Sequence, residues 1–217
     1  MGRPDDDATN TLTARLLLIL ESRPILGADS YNEIIGDVIT AYWRDYEDHR
    51  DSFMPAFLVN DVLRLWRTFC VNYEARTERE PDEAKAKGKL FNYKLRHSRL
   101  LTCYSAVMHL LSVYVTNRTV SPLDAIAMTR LTPTERIEGL VAHGGVSAAH
   151  DALEEVLARY TTFLEHTNKP ESDQIAQFKD KQFSLARSSE ARLFGDAMFQ
   201  ALQALGGDSP LFRLIVV

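Results

Sequence analysis

The stretch PAFLVNDVLRLWRTFCVNY, residues 55–73, decides the fold. Leu58, Val62, Leu65, Trp66, Phe69 and Tyr73 recur with the 3.6-residue period of an α-helix, not the two-residue period of a strand. Pro55 suits the opening of such a helix, because the N–H it lacks is one that a helix start leaves unbonded. The same period returns in KLFNYKLRHSRLLTCYSAVMHLLSVYV, residues 89–115, with Thr116 to Thr119 as the exit. Between the two lies a charged run from Glu74 to Glu80, and Pro81 and Gly88 bracket a charged, mobile connector. Two long apolar stripes joined in this way predict a central antiparallel pair in an all-α bundle or array.

Working outward, Asn10 or Thr11 caps a first helix reaching about Arg23, ended by Pro24 and Gly27. Asp29 and Ser30 cap a second helix through Trp43. Downstream, Ser121-Pro122 places a capping hydroxyl before a proline, and Thr132-Pro133-Thr134-Glu135 adds the glutamate of a capping box. Two short helices follow, ended by Gly144-Gly145. Ser147 starts another helix to about His166, and Pro170 breaks it. A last helix runs from Glu171 to about Leu205, stopped by Gly206-Gly207. The apolar tail from Leu211 to Val217 must dock or engage a partner. The expectation is about seven helices: a linker-like start over 1–9, a helical core over 10–120, and an extension over 121–217 packed on it as one globular unit.

Of the 217 residues, 45% are hydrophobic and 25% charged, an ordinary globular composition. Two cysteines far apart, Cys70 and Cys103, suggest neither a disulfide framework nor a zinc site, but buried thiols in a reducing compartment. No run of uninterrupted apolar residues spans a bilayer, and the acidic Asp5-Asp6-Asp7 is the opposite of a signal-peptide start. The reading is therefore cytoplasmic, with no membrane partner. The net charge of −5 is uneven: Arg64 to Arg99 holds ten Lys/Arg and five Asp/Glu, a local +5 that leaves −10 for the rest. That balance argues against general nucleic-acid binding and for a single phosphorylated ligand or acidic partner.

Four sets of residues could carry chemistry. Asn60, Arg64, Arg67 and Glu74 share one helix face, either a solvated face with local ion pairs or a cationic pocket whose arginines fork onto a phosphate or carboxylate. Lys94, Ser98, Thr102, Ser105, His109 and Ser112 share a narrow face of small polar groups, suited either to close helix packing or to the wall of a polar groove; Arg99 lies just off it. Arg44 and His49 have the Arg-x4-His spacing of HEPN-type ribonucleases, but Asp45, Glu47 and Asp48 between them would repel an RNA backbone. His143 reads as a cation meeting a helix C-terminus.

Three blocks carry a family resemblance: NTLTARLLLILESRPI (10–25), FMPAFLVNDVLRLWRTFCVNYEAR (53–76) and NYKLRHSRLLTCYSA (92–106). Over about Asp5 to Leu140 the chain resembles the helical domain that follows the catalytic domain in bacterial nucleotidyltransferase-like proteins related to the signal-protein (PII) uridylyltransferases. In that family an upstream domain of the polymerase-β type supplies Gly-Ser and then Asp-x-Asp, whose aspartates hold two metal ions. This chain carries no such motif. The resemblance implies an accessory domain that contributes to nucleotide or acceptor binding and is inactive alone. Mg²⁺ and a nucleoside triphosphate are expected only with a catalytic domain preceding this chain. It places Lys94 and Ser98 as the lysine and hydroxyl that meet the triphosphate. Arg64, Arg67 and Arg99 would assist, with Glu74 or Asp61 orienting them. Partners under this reading are a nucleotide or a protein acceptor, and a homodimer is open to it. Two rival readings remain: a stand-alone protein–protein interaction module, and a HEPN-like ribonuclease using Arg44 and His49.

Overall fold

A computed structural model describes residues 10–74, 82–143 and 147–216. The fold is an all-α array, 83% helical, with no strand among the described residues. The linker-like start, Pro81 and Gly144-Gly145 lie outside the described residues. Ten helices are present among the described residues, where the sequence predicts about seven. They are α1 (Thr11–Leu20), α2 (Ala28–Tyr42), α3 (Ala56–Glu74), α4 (82–117), α5 (Pro122–Thr129), α6 (Pro133–His143), α7 (His150–Thr167), α8 (Glu171–Lys179), α9 (Lys181–Gly206) and α10 (Pro210–Val216).

The central rod α4 runs unbroken through Asp82–Lys94, a π-turn at Leu95–Arg99, and Leu100–Asn117. The expected connector therefore ends earlier than Gly88, which sits inside the helix. An 18-residue window of α4 has a mean hydropathy of 1.2, and 56% of that window is buried against its neighbours, as in the core helix of a folded protein. α3 packs antiparallel to α4: Trp66 meets the Tyr104 ring edge-on at 6.4 Å, while Phe69, further along α3, meets Arg99, earlier on α4. One large core joins α1 to α7 with α9 and α10, so residues of both 10–120 and 121–217 contribute to it. A smaller one joins Leu90 and Tyr93 of α4 to Phe163, Phe178 and Ala191.

Several helix ends depart from expectation for local reasons. α1 starts after Asn10 in the left-handed region (φ 56°), with no side-chain cap, and stops at Leu20 rather than Arg23. Its end is taken by other partners: the Ser22 hydroxyl bonds back to the Leu18 carbonyl, and Arg136 donates to the Leu20 carbonyl at 2.8 Å. α2 starts after Gly27 (φ 66°), not at an Asp29 or Ser30 cap. The predicted helix from Glu171 to Leu205 is two, because Asp180 turns extended and its carboxylate caps α9 by accepting the Phe183 N–H at 2.6 Å. The apolar tail folds as α10, with Leu211 fully buried and the Phe212 ring lying where a Cβ on Gly206 would be. The Ser121 cap and the Thr132–Glu135 capping box form as predicted, and Asp124 completes a second, unpredicted box. Ser121 pairs reciprocally with Asp124, and Thr132 with Glu135.

The loop between α2 and α3 is stitched to the end of α4. Trp43 Nε1–H donates to the Val120 carbonyl at 2.7 Å, and the Val120 N–H donates to the Phe53 carbonyl at 3.0 Å. These bonds tie the α2–α3 loop to the segment that follows α4.

Candidate ligand-binding groove

A groove of about 740 Å³ opens between the end of α1, the last turns of α3 and the first half of α4. Lys94, Ser98 and Arg99 line it, together with Phe69, Tyr73 and Phe91. The π-turn shapes this wall. It widens the helix by one residue per turn, a device often found at functional positions. On its inner side His97 is 1% exposed and stacks between Phe163 (centroids 4.5 Å apart) and Phe194 (4.8 Å). His97 Nδ1 bonds the Tyr93 carbonyl at 2.8 Å, which fixes Nδ1 as the donor. Burial pushes the imidazole down to about 4, so His97 is neutral and anchors the turn rather than facing ligand.

Arg99 is committed within the groove. Its Nη1 donates to both Glu21 oxygens at 2.6 Å, its guanidinium lies 5.2 Å above the Phe69 ring, and Thr102 Oγ1 donates to Glu21 at 2.7 Å. Lys94 has no ion pair or hydrogen bond to a described residue, so its ammonium is the uncompensated charge of this wall. The two thiols are poor nucleophiles: burial pushes Cys103 up to about 12, and Cys70 is raised by burial and by Glu74.

The predicted site residues separate into two groups. Lys94, Ser98 and Arg99 come together; Arg64, Arg67 and Glu74 do not join them. Arg67 and Glu74 are exposed and Arg64 is half-buried, and none of the three lines the groove. Arg99 is paired with Glu21, not with Glu74 or Asp61. Asp61 faces the other way, accepting the Tyr42 hydroxyl at 2.6 Å and lying 3.5 Å from Arg15. Sequence reasoning missed Glu21 and Phe91 as lining residues. Glu21 lies 78 positions from Arg99, and no local pattern announces a pair at that separation.

The other candidates have local explanations. Arg44 and His49 are both exposed; Arg44 lies 3.6 Å from Asp45, and His49 Nδ1 bonds the Asp45 carbonyl at 3.0 Å. The His143 side chain lies outside the described residues. At the start of α7, His150, Asp151 and Glu154 bring their donor atoms within 4.8 Å, an exposed group accounted for by its own ion pairs. No protein-family model, no curated protein and no solved structure matches this chain.

Proposed function

We propose that this chain is a nucleotide-binding helical module of a nucleotidyltransferase-like protein, cytoplasmic and inactive alone. In this reading Lys94 and Ser98 meet the phosphates, and the aromatic walls of the groove receive the base. The observation that carries it is Lys94, an uncompensated cation one turn from Ser98 in an aromatic-lined groove. A volume of about 740 Å³ lies within the ~300–1,000 Å³ of small-molecule sites. Tyr73 offers a π-face on which a base stacks without regard to sequence, beside Phe69 and Phe91, which carry Arg99 and Lys87 over their rings. Among the described residues, the groove wall carries one carboxylate, Glu21, already engaged by Arg99 and Thr102, and no histidine or reactive thiol. That inventory favours holding a ligand over breaking a bond. The resemblance of residues 92–106 to the helical domain of that family, which would place Lys94 and Ser98 at the triphosphate, points the same way. Magnesium and the metal-binding aspartates would come from a catalytic domain outside this sequence.

Calorimetric titration of the chain with each common nucleoside triphosphate tests the reading. Saturable binding is expected for at least one. Lys94→Ala should weaken it by about tenfold, or 1.4 kcal/mol, and Arg67→Ala should leave it unchanged. No saturable binding, or equal binding by Lys94→Ala, rejects it.

One observation favours the interaction-module reading. Ile25 and Leu26, in the loop after α1, are 96% and 90% exposed. A dimer in sedimentation that Leu26→Asp dissolves would favour it.

A further inference from the structure

A second cleft, of about 310 Å³, opens where α4 meets α8 and the first turns of α9. Three cations surround it: Lys89 and Arg96 from α4, and Lys181 from α9. Ser184 and Ser188 add hydroxyls, and Tyr93 and Phe178 form an apolar floor. No carboxylate is among the described lining residues.

This concentration of charge is unlike the rest of these helices. Lys87 pairs with Glu171 at 3.2 Å and Arg187 with Glu190 at 2.7 Å. Lys89, Arg96 and Lys181 make no ion pair or hydrogen bond with a described residue. The acids close by are already engaged. Asp180 accepts the Phe183 N–H, and Glu190 is shared among Arg187, His166 and the Tyr93 hydroxyl. Like charges that converge without a counter-charge repel, and an anion placed among them relieves the repulsion. Oxyanions are the anions that such a set suits, since guanidinium and ammonium groups bond phosphate oxygens strongly and hydroxyls complete the shell.

We propose that this cleft binds a small organic phosphate monoester. Its phosphoryl group lies among Lys89, Arg96 and Lys181, and its organic part lies on Tyr93 and Phe178. Two features select that class. The volume is at the lower end of the ~300–1,000 Å³ of small-molecule sites, which disfavours a nucleoside triphosphate. The apolar floor distinguishes an ester from inorganic phosphate. The site shares no lining residue with the α1–α3–α4 groove and does not rest on the function proposed for that groove.

Phenyl phosphate is the probe, titrated calorimetrically at constant ionic strength into the 217-residue chain, with inorganic phosphate and phenol as controls. The expected result is saturable binding of phenyl phosphate, weaker binding of inorganic phosphate, and none of phenol. Arg96→Ala and Lys181→Ala should each weaken binding about tenfold, and Arg67→Ala, exposed on α3 and outside both linings, should leave it unchanged. Lys181 is exposed at the start of α9, so Lys181→Ala keeps the fold and remains informative if Arg96→Ala disturbs the π-turn. Absence of saturable binding, or unchanged affinity in Lys181→Ala, overturns the proposal. Loss of binding only in Lys94→Ala assigns the ligand to the other groove and overturns it too. Equal affinity for phenyl and inorganic phosphate overturns the organic ester.

Discussion

The two halves of α4 carry the same kind of polar stripe and put it to opposite uses. In the C-terminal half, Ser105 is fully buried against α6, and Thr102 is 3% exposed, its hydroxyl taken up by Glu21 and the Ser98 carbonyl. In the N-terminal half, Lys94 and Ser98 of the same stripe are half-buried and line an open groove. The difference lies in the cation each half meets. Ser105 faces Arg136, a fully buried arginine with no carboxylate partner. Arg136 donates instead to the Leu20 carbonyl at 2.8 Å and the Met128 carbonyl at 3.2 Å, at the C-terminal turns of α1 and α5. Two helix ends supply the negative potential that a carboxylate would otherwise supply. Lys94 meets no such acceptors. A stripe of small polar residues is thus a packing surface where a neighbour brings a donor with its acceptors already in place, and a groove wall where none arrives.

If that account holds, Arg136 is the most sensitive position in the molecule. Arg136→Ala leaves the Leu20 carbonyl without a donor, at about 1–3 kcal/mol, leaves the Met128 carbonyl with only the Leu131 N–H, and opens a cavity in the core. We expect a loss on the order of 3–5 kcal/mol in urea unfolding. Arg136→Met, which keeps most of the volume, should lose less. A loss below about 1 kcal/mol for Arg136→Ala would show that the two helix ends do not depend on it. Burial, followed by the nearby Arg23, pushes the guanidinium down to about 10, so it stays charged at neutral pH.

The halves should also separate on titration. His97, in the π-turn, is held neutral because burial pushes it from 6.5 to about 4. The unfolded chain binds a proton as pH falls through 6.5, while the folded protein resists until about 4. His97 therefore costs no stability above 6.5, and stability falls progressively between 6.5 and 4. The full loss is on the order of 3 kcal/mol. His109, at the α5–α6 side, is also pushed to about 4 by burial and by Arg136, and adds its own loss in the same window. In unfolding free energies measured across that range, His97→Phe should flatten the acid limb without abolishing it. Parallel curves for the two proteins would mean that His97 is hydrated in solution.

How far the sequence reached depended on whether its signals were local. The helical period of 55–73 and 89–115 is local, and so are the Ser121 cap before Pro122 and the Thr132–Glu135 capping box; all four were readable, while Asp124, which completes a box with Ser121, was not singled out. The Lys94–Ser98–Arg99 cluster was readable because one helix carries all three. What escaped depends on distant parts of the chain. Arg136 sits in TERIEGL, a sequence that looks like a solvated helix turn, and only the arrival of α1 and α5 buries it. The π-turn has no glycine or proline to mark it, and it arises where His97 inserts between two phenylalanines from α7 and α9. The break at Asp180 was hidden because its cap signal lies inside a polar run that also suits helix. Arg64, Arg67 and Glu74 misled by the same logic in reverse. Their spacing puts them on one face, but spacing alone does not say whether that face meets a neighbour or water.

The smallest expected effect on stability belongs to the groove's own ion pair, and it bears most directly on what the groove holds. Arg99 and Glu21 are 40% and 32% exposed at the side chain, so the pair sits in a well-screened setting. Glu21→Gln should therefore change the unfolding free energy by less than about 1 kcal/mol. Its electrostatic consequence is larger than its structural one. Glu21 supplies the carboxylate of this wall and offsets Arg99; without it, the charges of Lys94 and Arg99 both face the groove. A phosphate-bearing ligand should then bind a few-fold tighter, with a steeper dependence on salt, because another cation is left to attract it. Calorimetry on Glu21→Gln at two ionic strengths reads both quantities. Weaker binding in Glu21→Gln would assign Glu21 a direct contact, its carboxylate accepting a ligand hydroxyl. In that case Arg99 would be the positioning residue that aims Glu21, and Arg99→Ala should weaken binding to the same extent.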